Sequence, residues 1–176
     1  MSKYFIMTAF GPDRVGIVAD VTRLLYENGC NLEDTAMNLL ADEFTLNLLF
    51  SCTKDTIEEQ LLQECRRLER EKGISAFVRS LPPPEKKSPQ GTRTCSLHIE
   101  GLDQAGIVYK TSAFLAEKKL NIVQLKSTPQ ASPESGAIVY RMDIDIQVPK
   151  DFSVEQLEDE VTALADELQV DINISR

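Results

Sequence analysis

The chain has 176 residues, 42% of them hydrophobic and 27% charged, a balance of one or two globular domains rather than of a disordered or fibrous chain. Its formal net charge of −9 repels a phosphate backbone and argues against direct nucleic-acid binding. Four cysteines without a Cys-x-x-Cys pair, beside a single histidine, give a zinc site or disulfide framework little to work with, and no apolar run approaches the roughly 18 residues of a membrane span.

Tyr4 to Phe10 is a short β-rich run ending at Gly11-Pro12, and the N-terminus leads into it without room for a secretory signal. Tyr4, Ile6 and Phe10 on one side and Phe5, Met7 and Ala9 on the other predict a central strand covered on both faces. A loop from Gly11 to Gly16 precedes a helix to about Asn28, with Val18, Val21, Leu24 and Leu25 as its buried stripe and Asn28-Gly29 as its exit. Leu32–Ala41 and Phe44–Cys52 read as strands joined by a hairpin at Asp42-Glu43. Thr56 with Glu59 fits a capping box for a helix to Lys72, buried through Ile57, Leu61, Leu62, Cys65 and Leu68 and stopped by Gly73. Ile74 to Leu81 is a further strand.

The proline-rich stretch 82–92 reads as an extended linker between a first domain, 1–81, and a second, 93–176. The order then repeats: a strand over Thr94–Glu100, a helix over Ala105–Lys118, a strand over Asn121–Gln130, a polar loop over 131–136 and a strand over Ala137–Val148. The clean alternation from Ile138 to Val148 reads as an edge open to association. Ser153 with Gln156 caps a last helix, striped by Val154, Leu157, Val161, Leu164 and Leu168, and Val170–Ser175 closes the sheet. The fold class is therefore α+β: two tandem ferredoxin-like βαββαβ units, antiparallel sheets with helices on one face.

The repeat is exact in spacing through the first loop and helix. Gly11, Asp13, Gly16, Ile17, Val18 and Asn31 return ninety residues later as Gly101, Asp103, Gly106, Ile107, Val108 and Asn121. A helix start has amides without internal partners and partial positive charge, which suits a carboxylate or phosphate. Gly16 and Gly106 would let a ligand approach the backbone, and Asp13 and Asp103 would accept from an ammonium group. Asn31 and Asn121 start the next strand at the far end of the helix, so a neighbouring domain is needed to bring them to the loop. Such a set suits a free amino acid. Each residue also has a plain structural role: Asp13 and Asp103 as N-caps, Gly16 and Gly106 for close helix-to-sheet packing, Asn31 and Asn121 as turn residues tolerating positive φ.

The run GPDRVGIVADVTRLLYENGCNLEDTAMN closely resembles an ACT domain, a small regulatory module. The whole chain is similar to two of them in tandem, the arrangement of the glycine cleavage system transcriptional repressor family. Amino acids commonly bind that family's domains where two pack together, through the loop after the first strand and the start of the second. The resemblance implies Asp13, Arg14, Val15, Gly16, Ile17 and Asn31 as ligand-binding residues here, and Asp103, Ala105, Gly106, Ile107 and Asn121 in the second repeat. The second repeat departs from the pattern at Gln104-Ala105 and Lys119-Leu120. The resemblance also implies action through a protein partner, a transcription factor, rather than on DNA.

These readings converge on a cytoplasmic, non-enzymatic regulator without a cofactor or metal. It would bind a small amino acid, glycine or serine first, form homo-oligomers and control a protein partner of amino-acid or one-carbon metabolism. One alternative is an interaction module that oligomerises without a ligand. Another is an acylphosphatase-like enzyme using Arg14, although Asp13 beside it would repel the substrate anion. His98 is alone on its strand and reads as a surface or interface residue rather than a base.

Overall fold

Alternation with a period of two places one side of each interior strand in a core, and helical stripes with a period near 3.6 cover that side. The computed structural model describes residues 2–54, 56–83, 91–131 and 136–175, without the side chain of residue 154. It divides into two compact units, Met1–Lys86 and Lys87–Arg176. The first contains β1 (Lys3–Pro12), α1 (Ile17–Glu27), β2 (Asn31–Leu40), β3 (Glu43–Cys52), α2 (Ile57–Lys72) and β4 (Ser75–Leu81). The second contains β5 (Thr92–Leu102), α3 (Ile107–Glu117), β6 (Asn121–Ala131), β7 (Ile138–Pro149), α4 (Val154–Leu168) and β8 (Val170–Ser175). The sheets run β2-β3-β1-β4 and β6-β7-β5-β8, antiparallel throughout. Both units are thus ferredoxin-like βαββαβ folds. The linker reading falls largely outside the described residues, as does the polar loop at 131–136.

Each core is one face of a sheet and the inner faces of two helices. In the first, Phe5, Met7, Ala9, Phe44, Leu46, Leu48 and Phe50 are fully buried beneath Ile17, Val21, Ile57 and Leu61. The stripes differ from the sequence reading at their margins. Val18 is 38% exposed and its place is taken by Ile17, and Leu62 is 50% exposed. A helix crossing a flat sheet buries a narrower arc than its apolar residues mark. In α4, Leu157, Val161, Leu164 and Leu168 are buried as read, while the Val154 side chain lies outside the described residues.

Two topological expectations change. β1 is an interior strand, but its second face is open in the unit: Phe10 is 41% exposed and stacks on Phe77, 65% exposed, at 6.1 Å. β7 is not an edge, since it lies between β6 and β5; its alternation records one buried face, not a free margin. The edges are β2 and β4, and β6 and β8, with all ten residues of β2 exposed.

The caps divide the same way. Ser153 caps α4, its Oγ accepting from the Gln156 amide at 3.2 Å. Thr56 precedes α2 with φ −93° and ψ 12°, outside the extended region that aims a capping side chain at the helix, and makes no capping bond. Gly73 ends α2 in the left-handed conformation, φ 69°.

The repeat also locates a defect. Val21 is fully buried in α1, and ninety residues on Thr111 is fully buried in α3 with an Oγ1 that has no hydrogen-bond partner among the described residues. A buried hydroxyl without a partner costs free energy that an isosteric methyl does not. Thr111→Val is therefore expected to stabilise the second unit by about 1 kcal/mol. Urea unfolding checks this, and an unchanged or lower midpoint would contradict it.

Candidate functional site

The β1–α1 loop is built by two glycines with different duties. Gly11 is still in β1, and a Cβ there would stand 3.0 Å from the Gly73 carbonyl oxygen. Its counterpart Gly101 is in β5, where a Cβ would stand 2.6 Å from Val170 Cγ1. These two glycines permit close approach of the chain following the second helix, and neither turns the loop. Gly16 and Gly106 are the N-cap residues of α1 and α3, left-handed at φ 87° and 100°. A Cβ on either would meet nothing within 4 Å. Backbone conformation, not helix-to-sheet packing, therefore asks for glycine, and the space above the loop is open.

Asp13 and Asp103 are not N-caps, because the N-cap positions, Gly16 and Gly106, lie three residues beyond them and no side chain caps either helix. Their backbone amides bond to the Asp42 and Ile138 carbonyls, at 2.8 and 3.3 Å, tying each loop to the neighbouring hairpin. Asp13, Arg14, Val15 and Gly16 are all exposed, Val15 at 99%, while Ile17 turns into the core. Asp103 and Ala105 are likewise exposed, Gly106 is intermediate and Ile107 is buried.

Arg14 folds back along its own helix, its Nη2 2.6 Å from Asp20 Oδ2, with Lys72 Nζ 3.6 Å from Oδ1. The hydrogen bond from Arg14 and the charges of Lys72 and Arg14 hold the Asp20 carboxyl below its ordinary range, against a smaller opposing effect of burial. In the second repeat, Gln104 donates instead to the Leu168 carbonyl at the end of α4, and Lys110 pairs with Glu167 at 2.9 Å. The two loops are thus held by different partners. A carboxylate whose folded pKa is depressed adds stability above its unfolded value, about 3.9, and that stability is lost as pH falls through the folded value. In Arg14→Ala the stability difference from wild type should be present at pH 6 and shrink steadily below pH 4, read as urea midpoints. A pH-independent difference would contradict the pairing.

Asn31 and Asn121 are strand residues without positive φ; the left-handed positions are Gly29, φ 70°, and Lys119, φ 59°. Asn31 Nδ2 donates to Glu33 Oε1 at 3.0 Å, and Ser51 Oγ donates to the same oxygen at 2.6 Å. The Ser51 bond, then the Asn31 bond, holds the Glu33 carboxyl low. Asn121 donates to Gln147 at 3.4 Å. The 11 residues of α1 put roughly 16 Å between Asn31 and the loop. One unit brings Asp13, Arg14, Val15 and Gly16 together but not Asn31.

The sequence reading missed a groove of about 560 Å³ between α1 and β2, lined by Ala19, Thr22, Tyr26, Cys30, Asn31 and Leu32. Its only advance sign is the apolar Leu32 and Tyr26, 43% and 83% exposed. His98 is not alone: Nδ1 lies 2.6 Å from Asp143 Oδ1 and Nε2 2.9 Å from Ser175 Oγ. That is the hydrogen-bond order of a nucleophilic triad. It lies on the open sheet face, half exposed, and β5 is paired on both sides, so its ladder amides are committed. Ser175, the hydroxyl of the three, is exposed on the edge strand β8. Among the described residues no group of His, Cys, Asp and Glu could hold a metal ion, and no helix is long and apolar enough to cross a membrane.

An ACT domain family model matches residues 3–79. The glycine cleavage system transcriptional repressor of Escherichia coli K12 is 26% identical over 174 residues, 98% of this chain and 89% of that protein. A UPF0237 protein of Methanopyrus kandleri is 31% identical over 74 residues, 42% of this chain and 82% of that one. Among solved structures, a protein of Galdieria sulphuraria superposes with a TM-score of 0.79 at 26% identity, over 99% of this chain and 98% of that one.

Proposed function

We propose, from the match of residues 3–79 to the ACT-domain family, that the chain is a non-enzymatic regulator that binds glycine or serine at the β1–α1 loop of its first unit. The observation that carries this reading is the open space above Gly16 at the start of an 11-residue helix, beside an exposed Asp13. Helix-start amides would take the ligand carboxylate and Asp13 its ammonium group.

Completion of the site by Asn31 needs a second ACT domain, which we assign to another copy of the chain. The support is β2, an edge strand with every residue exposed and Met37 and Leu39 on its core-facing side. An unpaired ladder of that length is a template for pairing. A ligand held there favours one arrangement of the copies, and a partner protein that binds the arrangements unequally reads the difference. The E. coli relative is named a transcriptional repressor, and a net charge of −9 favours contact with a transcription factor over contact with DNA. The same bare β2 edge supports the second reading, an oligomer that needs no ligand. Equilibrium dialysis against labelled glycine and serine separates them: saturable retention of either supports the sensor, and retention of neither leaves the interaction module.

A further inference from the structure

Cys30 and Cys52 meet just beyond the start of the β2–β3 ladder. Asn31 faces Ser51 in register, so one residue back on one strand and one residue on along the other, the two cysteines stand opposite each other. Opposed residues of antiparallel strands hold their Cα atoms about 4.5–5.5 Å apart, within the range a disulfide spans. Parity agrees: Cys52 shares the core side with buried Phe50, and Cys30 packs against the same core. The Cys52 thiol is close enough to act on the Cys30 thiol, and Cys52 Sγ faces the Gly29 carbonyl, one residue before Cys30, at 3.9 Å. Access is unequal. Cys30 is half-buried and lines the α1–β2 groove, whereas Cys52 is 3% exposed.

We propose that Cys30 and Cys52 form a dithiol modification site that low-molecular-weight disulfides oxidise to a cross-strand disulfide. Cys30, reached through the groove, attacks one sulfur of the oxidant; the oxidant's S–S bond breaks and one small thiol leaves with a proton from solvent. Cys52 then gives up its proton and attacks the Cys30 sulfur, expelling the second small thiol. Two protein thiols and one small disulfide become one protein disulfide and two small thiols, with no other oxidant needed.

The surroundings set the rate. Burial first, and then the neighbouring Cys52, push the Cys30 thiol up to about 12, and Lys54 offsets this in part. Little thiolate exists at neutral pH, so the crosslink forms slowly. A basic thiolate is also a poor leaving group, so the disulfide, once formed, resists exchange. The product is a slow, durable staple that pins Asn31 at the start of β2 to the end of β3.

The test is oxidised glutathione added to the reduced full-length protein at pH 7 and pH 9, followed by alkylation and tryptic mass mapping. No Lys or Arg lies between Arg23 and Lys54, so one tryptic peptide, 24–54, carries both cysteines and neither Cys65 nor Cys95. The expected product is that peptide lighter by two hydrogens and closed to alkylation until reduced, forming about a hundredfold faster at pH 9. Cys52→Ser should stop at a glutathione adduct on Cys30, and Cys30→Ser should prevent reaction at Cys52. A stable glutathione adduct in wild type, a crosslink through Cys65 or Cys95, or an unmodified peptide at pH 9 would each overturn the proposal.

Discussion

Phe50→Ala is expected to destabilise the first unit by about 3–5 kcal/mol, the usual cost of removing a fully buried aromatic ring. Phe50 lies near the C-terminal end of β3, facing Phe5 on β1 and Leu32 on β2. Its ring stacks on Phe5 at 5.4 Å with 18° between planes, and both residues are fully buried. Aromatic pairing adds to the area term. A domain of this size has only about 5–15 kcal/mol of stability in total, so the variant should be near its unfolding threshold. The second unit lacks this ring pair, since Cys95 and Ile146 occupy the corresponding register positions. Urea unfolding of the variant should show the first unit lost early. A loss below about 1 kcal/mol would mean the β1–β3 core is not packed as described.

Gly16→Ala should separate the ligand site from the scaffold. A left-handed φ of 87° costs a non-glycine residue about 1–2 kcal/mol. The added methyl projects into open space, so the unliganded protein should lose only that amount. It would occupy the volume where a bound carboxylate meets the helix start. Ligand-induced stabilisation, roughly 2.7 kcal/mol at 100 times the dissociation constant, should therefore vanish in this variant. Gly106→Ala should carry the same backbone cost and leave the ligand response intact. Equal loss from both variants would mean that the repeats act alike. Loss from neither would place any ligand elsewhere.

Much of the fold was legible because its signals are local. Strict alternation in Phe44–Phe50, the Ser153 cap, Gly73 as a helix stop and the bounds of Val170–Ser175 all depend on a few neighbouring residues. What sequence missed is non-local. β7 alternates like an edge strand, yet its place between β6 and β5 is decided by pairing with β5 across 37 (139 − 102) to 57 (149 − 92) residues. Asp13 and Asp103 resemble caps, but a left-handed glycine three residues on delays each helix. Thr56 has a capping residue's chemistry without its backbone angles. The loops Asp13–Gly16 and Asp103–Gly106 were visible as a repeat, but their different anchors were not. Arg14 reaches Asp20 six residues away, whereas Gln104 reaches Leu168 across the unit.

The claim that the first loop senses an amino acid is tested most directly by thermal unfolding against each of the twenty amino acids, using wild type, Asp13→Ala and Asp103→Ala. Asp13 is exposed, and the bond that ties it to the hairpin comes from its backbone amide, which Ala keeps, so its removal should leave the unliganded midpoint nearly unchanged. The account predicts a saturable rise in midpoint with glycine or serine, lost in Asp13→Ala and kept in Asp103→Ala. A rise with none of the twenty, or one that survives in Asp13→Ala, would contradict it.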